Sequence, residues 1–139
     1  MRIDLQIVTP EKIAFNGEID QISLPTKNGQ ITILPKHISL VSTIKHGELI
    51  IKDGKNEILM AVYGGFVEVR KNQVRVMTDI AERIEEINIE KAEEARKEAQ
   101  KRLQEKDRMS DVAFADTVAI LEKSLARIKV ARRKHNRQL

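Results

Sequence analysis

The sequence predicts an antiparallel β-sandwich of about ten strands followed by a two-helix antiparallel hairpin. Three observations carry this. All six glycines and all three prolines lie at or before Gly65, so residues 66–139 contain neither chain breaker and are free to run as long helices. Before that point, short runs alternate in polarity with a period of two and are separated by Gly-containing dipeptides. From Asn88 onward the apolar spacing changes to three and four. Two modules of opposite character follow, a β module over residues 1–84 and a helical module over residues 85–139.

The β module opens with Ile3, Leu5 and Ile7 alternating with Asp4, Gln6 and Val8, the pattern of a half-buried strand. Further strands are expected at Glu18–Leu24, Gly29–Leu34, Ile38–Ile44, Glu48–Lys52, Glu57–Tyr63, Phe66–Arg70 and Gln73–Thr78. Asn16-Gly17, Asn28-Gly29 and Asp53-Gly54 supply dipeptides that tolerate positive φ in hairpin turns, and Lys71-Asn72 offers another. Many short strands at this spacing read as a sandwich or flattened barrel. Parallel pairing is not expected, because no room is left for crossover helices. The core should hold Ile7, Ile22, Leu24, Ile33, Leu40, Leu49, Ile51, Val62, Val67, Val69, Val74 and Val76.

In the helical module Asn88 can cap a helix whose first turn holds Glu90. Ala92, Ala95, Ala99 and Leu103 form a narrow stripe, and Glu93–Lys97 and Glu98–Arg102 are favourable pairs four residues apart. The pattern breaks near Asp107–Asp111, where Ser110 or Asp111 can cap a second helix with a stripe of Phe114, Val118, Leu121, Leu125 and Ile128. The result is a hairpin or one long interrupted helix. Each seam alanine buries one methyl, worth about 0.8 kcal/mol when fully dried. So thin a seam suits a population switch, and equally a static appendage.

The composition excludes several chemistries. There is no cysteine, hence no disulfide or thiolate metal site. His37, His46 and His135 are scattered, without the spacing of a helical metal pair, so no metal site is expected. Gly64-Gly65 lies between strands without a following Gly-Lys-Ser/Thr, so it is not a phosphate loop. No nucleophile–base arrangement appears, and an enzyme reading has no residue to rest on. With three phenylalanines, one tyrosine and no tryptophan, stacking of single-stranded nucleic acid is poorly supplied. The N-terminus lacks a signal-peptide run, and no stretch approaches the ~20 apolar residues of a membrane span. A soluble chain is expected, reaching a membrane only through a partner.

Net charge is +4. Residues 1–84 carry 11 basic and 10 acidic groups, and residues 85–139 carry 14 and 11. After Glu122 come Lys123, Arg127, Lys129, Arg132, Arg133, Lys134 and Arg137 with no acid. Two readings stand: a solvated helix end that complements the helix dipole, and a surface for an acidic partner.

Ile7-Val8-Thr9-Pro10-Glu11, Ile22-x-Leu24-Pro25, the run GQITILPKH from Gly29 to His37, Gly64-Gly65-Phe66-Val67-Glu68-Val69 and Ala81-Glu82-Arg83 occur in this order ahead of an Ala-rich charged hairpin. In this the chain resembles the ε subunits of rotary (F-type) ATP synthases, called δ in mitochondria. The resemblance implies a non-catalytic subunit at the foot of the central stalk, bound to the γ subunit and seated on the membrane ring of c subunits. It implies c-ring or γ contacts at Lys27, Asn28, Gly29, Gln30, Lys36 and His37. It also implies a hairpin that either folds beside the sandwich or extends along γ, where Lys123, Arg127, Arg132 and Arg133 reach acidic loops of the β subunits and block ATP hydrolysis. Some relatives bind ATP through Ile-Asp-x-x-Arg-Ala, which stands here as Ile87-Asn88-Ile89-Glu90-Lys91-Ala92. The carried-over nucleotide residues are Glu82, Asn88, Lys91, Lys123 and Arg127. Lys91 and Lys123 stand where arginine is usual and Asn88 where an acid is, so no cofactor is expected and ATP should bind weakly or not at all. The implied location is the cytoplasmic face of a bacterial inner membrane or the stromal face of a thylakoid. Without the resemblance, the residues alone would also fit a free-standing sandwich and coiled-coil adaptor whose tail binds an acidic protein or nucleic acid.

Overall fold

The structure, a computed structural model, describes residues 1–105 and 109–138, with side chains through Arg133. Ten strands come first: β1 (Ile3–Val8), β2 (Ile13–Ile19), β3 (Gln21–Thr26), β4 (Gly29–Ile33), β5 (Leu40–Ile44), β6 (Gly47–Asp53), β7 (Asn56–Val62), β8 (Gly65–Arg70), β9 (Gln73–Met77) and β10 (Ala81–Arg83). A 3₁₀ turn at Ile84–Glu86 leads to α1 (Ile89–Leu103) and α2 (Asp111–Gln138). The strands form two five-stranded sheets, ordered β2-β1-β9-β8-β5 and β10-β7-β6-β3-β4.

The alternating residues meet between the sheets. Of the twelve expected core residues, eleven are at most 2% exposed, and only Leu40, on edge strand β5, is partly buried. Ile3, Leu5, Ile19, Ile44, Met60 and Ala81 complete the core.

Three strand-level expectations need correction. Asn16-Gly17 is not a turn but the middle of an additional strand, β2, opposite Gln6 and Leu5 of β1. The reversal is made earlier, where Thr9 N–H donates to Lys12 O (2.9 Å) and Lys12 N–H to Thr9 Oγ1 (3.1 Å). Asn-Gly permits a turn without imposing one, and pairing with β1 outweighs it here. The run expected as one strand from Glu18 to Leu24 breaks at Asp20, where the chain passes from one sheet to the other. Finally, β1 pairs in parallel with β9, Leu5 facing Val74 and Ile7 facing Val76. No crossover helix is needed, because the seven intervening strands make the connection, β3, β4, β6 and β7 in the opposite sheet and β2, β5 and β8 in the same one.

The other turns follow the residues. Lys71 (φ 49°) and Asn72 (φ 63°) close the β8–β9 hairpin with two positive φ angles, the arrangement that suits strand twist. Gly65 is obligatory at its place: φ is +121°, and a Cβ there would stand 1.9 Å from the carbonyl oxygen of Met77.

Both helix caps are as the sequence suggests. Asn88 Oδ1 accepts from Lys91 N–H (3.1 Å), and Ser110 Oγ accepts from Ala113 N–H (3.2 Å). Glu98 pairs with Arg102 at 2.7 Å, whereas Glu93 accepts from Arg132 of α2 at 3.3 Å instead of pairing along its own helix. The expected stripe on α2 is wrong in part. Phe114 and Leu125 are exposed, and the buried positions are Thr117, Ser124, Ala126, Ile128, Val130 and Ala131. The reason is that α2 has two neighbours. Thr117 and Ile120 face Ala95 and Ala99 of α1, while Ala126 and Val130 pack on the sheet. The buried Thr117 and Ser124 hydroxyls donate to the carbonyls of Ala113 and Ile120, each at 2.8 Å, so neither is left unpaired.

Gly65→Ala should destabilise the sandwich by about 3 kcal/mol or more, since backbone strain and a collision with Met77 O coincide. Chemical denaturation followed by circular dichroism measures this. A loss below about 1 kcal/mol would show that the turn adapts.

Candidate functional site

The outer face of the β10-β7-β6-β3-β4 sheet lies beneath α2. The residues of β7 between Ile58 and Tyr63 form one apolar run, because this strand is covered on both sides. Met60 and Val62 enter the sandwich core, whereas Leu59, Ala61 and Tyr63 join Ile84, Ala126 and Val130 in a second apolar cluster outside it. Val130 and Ala61 are completely buried there.

Charged pairs surround this floor. The Arg127 guanidinium grips Glu82 with two bonds, Nε to Oε2 at 3.0 Å and Nη2 to Oε1 at 2.8 Å. Its carbon lies 5.2 Å from the centre of the Tyr63 ring. Both charged side chains are about one-quarter exposed, at 28% and 26%. The pair therefore ranks between an exposed bridge of ~0.5 kcal/mol and a fully desolvated one, whose rupture costs ~3 kcal/mol. Arg133 pairs with Glu48, whose side chain is only 6% exposed and whose Oε1 is buried with no hydrogen-bond partner among the described residues. His46 Nε2 stands 3.2 Å from Glu122 Oε2, with its ring 6.1 Å from that of Tyr63.

Tyr63 is 1% exposed, and its hydroxyl forms no well-shaped hydrogen bond although Glu82 and Arg127 adjoin it. Burial first, and the Glu82 charge second, push its phenol well above the ordinary 10.0. Burial is the largest influence on Arg127 and disfavours its charge, but the hydrogen bond to Glu82 and the contributions of Tyr63 and the Glu82 charge together outweigh it, and the net shift is upward.

The residues singled out from sequence fall in three places. Lys27, Asn28, Gly29 and Gln30 form an exposed tip between β3 and β4, where Thr26 Oγ1 donates to Gly29 O at 2.6 Å. Lys36 and His37 lie beyond the other end of β4, five residues or about 17 Å away. There Lys36 N–H donates to Asn72 Oδ1 (2.6 Å) and ties the loop to the β8–β9 turn. The two turns thus stand at opposite ends of β4. Of the arginines assigned to an acidic partner, Arg127 and Arg133 bind carboxylates of the sandwich, and Arg132 binds Glu93 of α1. Lys123 is half-buried on α2. Of the nucleotide set, Glu82 and Arg127 are committed to each other, and the Asn88 carboxamide caps α1. The side chains of Lys134, His135 and Arg137 lie outside the described residues.

Sequence reading missed Tyr63, Ala61 and Glu48, although the unbroken apolar run of β7 signalled a strand covered on both faces. It also missed an apolar strip on the open outer face of the other sheet. The register sets Ile13 beside Val8, Val8 beside Met77 and Met77 beside Phe66. Phe66 is 52% exposed, and a shallow hollow of about 350 Å³ opens between it, Val8, Pro10 and Met77. Among the described residues no cluster of three or more metal-ligating side chains occurs, and no helix is long and apolar enough to cross a membrane.

The family model described as the beta-sandwich domain of the ATP synthase Delta/Epsilon chain matches residues 2–84, and the model of its long alpha-helix domain matches residues 85–132. The chain belongs to the ATP synthase delta/epsilon chain family. Its relatives include the ATP synthase epsilon chains of Desulforamulus reducens (41% identical, covering 91% of this chain and 95% of the relative) and Herpetosiphon aurantiacus (37% identical, covering 99% and 100%). Among solved structures the fold is similar to a chain of the Euglena gracilis mitochondrial ATP synthase OSCP/F1/c-ring assembly. The TM-score is 0.77 at 23% identity, over 90% of this chain and 78% of that one. It is also similar to a chain of the Tetrahymena thermophila mitochondrial ATP synthase central stalk and c-ring, with TM-score 0.59 at 15% identity, over 94% and 97%.

Tyr63 is the only tyrosine, so its ionisation can be followed by ultraviolet absorbance. A folded-state value above the unfolded one means that its contribution to stability is complete below pH ~10 and is lost as pH rises beyond. The native chain should show no phenolate at pH 10–11, and ionisation should coincide with alkaline unfolding or helix release. Free titration near pH 10 in the native protein would contradict the buried setting.

Proposed function

We propose that the chain is the ε-type subunit of a rotary ATP synthase, joining γ to the c ring during ATP synthesis and restraining ATP hydrolysis through its helices. The observation that carries the reading is family membership across both modules, on a fold whose helical module is attached through one charged face. The subunit supplies surfaces rather than catalytic groups.

The geometry supports a division of labour. The open outer face of the β2-β1-β9-β8-β5 sheet, with Phe66 and Met77 exposed, offers γ an apolar seat. The Lys36–His37 loop is tied through Asn72 to the β8–β9 turn, at the end of the same sheet away from Phe66 and Met77. The projecting Lys27–Gln30 tip faces the c ring, since it lies at the end of β4 away from that loop and is exposed throughout. The subunit is then peripheral to the membrane, on the cytoplasmic face in a bacterial cell, as the bacterial relatives suggest. It needs no nucleic acid.

Arg127, Arg132, Arg133 and Lys123 would meet acidic surfaces of the β subunits when the hairpin leaves the sandwich. ATP would bind weakly or not at all, because Lys91 and Lys123 give point charges where two planar guanidinium forks are usual. Loss of one or two charge-assisted bonds weakens affinity by about tenfold to a few thousandfold.

Three measurements test this reading. Phe66→Asp with Met77→Asp should abolish binding to γ while the isolated protein keeps its β-sheet circular dichroism; retained binding places the seat elsewhere. Removing residues 88–139 should leave γ binding intact and raise ATPase activity of the assembled enzyme severalfold; unchanged activity would remove the inhibitory role. Calorimetric titration should find no low-micromolar ATP binding, and Asn88→Asp, Lys91→Arg and Lys123→Arg together should tighten it.

A further inference from the structure

Glu82, Ala61 and Glu48 stand in one cross-strand row, because Ala61 of β7 pairs with Glu82 of β10 on one side and with Glu48 of β6 on the other. Directly paired residues share a face, so the two carboxylates flank the Ala61 methyl two strand spacings apart, about 9.6 Å. That separation is close to the ~10 Å width of an α-helix. Ala61 is fully buried against the cluster that contains Ala126 and Val130. Arg127 and Arg133 are six residues apart, about 600° around the helix, which sends them down different flanks of α2. One reaches Glu82 and the other Glu48. An acid–methyl–acid row of helix width is a cradle for a basic helix.

We infer that this row is an intramolecular stand-in for an acidic partner surface and sets the fraction of chains whose hairpin is free. The inference rests on the proposed reading, in which the same arginines meet carboxylates of another subunit, and it names what they must leave first. Glu48 both holds and loosens the helix. One of its oxygens binds Arg133, while the other is buried with no partner among the described residues and regains water when α2 departs. Docking is thereby specific yet reversible. An external surface competes best when it offers two carboxylates at that spacing on either side of a small side chain.

The test uses the full chain. Tyr63 is its only tyrosine and there is no tryptophan, so quenching of tyrosine emission by acrylamide reports whether α2 covers it. Labels on cysteines introduced at exposed Lys55 and Lys101, in a chain that has none, give an independent distance between sandwich and hairpin. Glu48→Gln with Glu82→Gln should raise the undocked population about tenfold or more, with the β-sheet circular dichroism unchanged. Ala61→Leu should do the same without touching a charge, by filling the floor of the cradle. Exchanging the charges of Glu82 and Arg127 should restore shielding lost on changing Glu82 alone. Tyr63 as shielded and labels as close in the double glutamine variant as in the parent would overturn the inference, even if Ala61→Leu opens the hairpin. A double glutamine variant that opens but leaves hydrolysis by the assembled enzyme unchanged would uphold the cradle and sink the proposed inhibitory role.

Discussion

The seating of α2 on the outer face of β7 is the contact on which the arrangement of the whole chain depends. On the sandwich side the join is made by Leu59, Ala61 and Tyr63, and on the helix side by Ala126 and Val130. Small side chains at its centre bring backbone close to backbone, and this proximity lets Arg127 and Arg133 reach down to carboxylates on either side. Larger residues at these positions would lift the helix and lengthen every charged contact at once. Apolar fit and charge pairing are therefore not separate contributions here, since the first sets the distance at which the second operates.

The helical module itself is held economically. Its seam sets Ala95 and Ala99 of α1 against Thr117 and Ile120 of α2. Thr117 and Ser124 satisfy their hydroxyls on their own helix, so neither fixes the partner helix, and the exposed Arg132–Glu93 pair joins the two. Two helices joined so thinly gain much of their order from the sheet beneath. A hairpin that leaves the sheet must find another surface of similar character, a requirement that fits a subunit able to exchange partners.

The fold was legible in the sequence where one neighbour decided the pattern. Ile3, Leu5 and Ile7 face only the sandwich interior, and Val67, Val69, Val74 and Val76 do the same, so the period of two was unambiguous. Legibility failed where two neighbours competed. On α2 one face meets α1 and another meets the sheet, and the single stripe through Leu125 averaged the two into a direction that is exposed. β2 escaped notice because Asn16-Gly17 carries a turn signal that pairing overrides. The arginines of the site were visible as a charge run, but their partners were not. Glu48, Glu82 and Glu93 lie at 85, 45 and 39 residues' separation from Arg133, Arg127 and Arg132, and no local pattern reports contacts of that range.

The parallel pairing of β1 with β9 has a consequence for the order in which the protein assembles. β1 lies inside its sheet between β2 and β9, and β9 follows it by eight strands in chain order. Until Met77 has emerged, β1 can pair only with β2, and one of its two edges stays open. The sandwich therefore closes late in synthesis through contacts of high sequence separation, which form slowly. The helices, built from local bonds on the faster timescale of helix formation, follow immediately behind. A helical hairpin formed on that faster timescale can cover the outer face of β7 as soon as the sheet has closed.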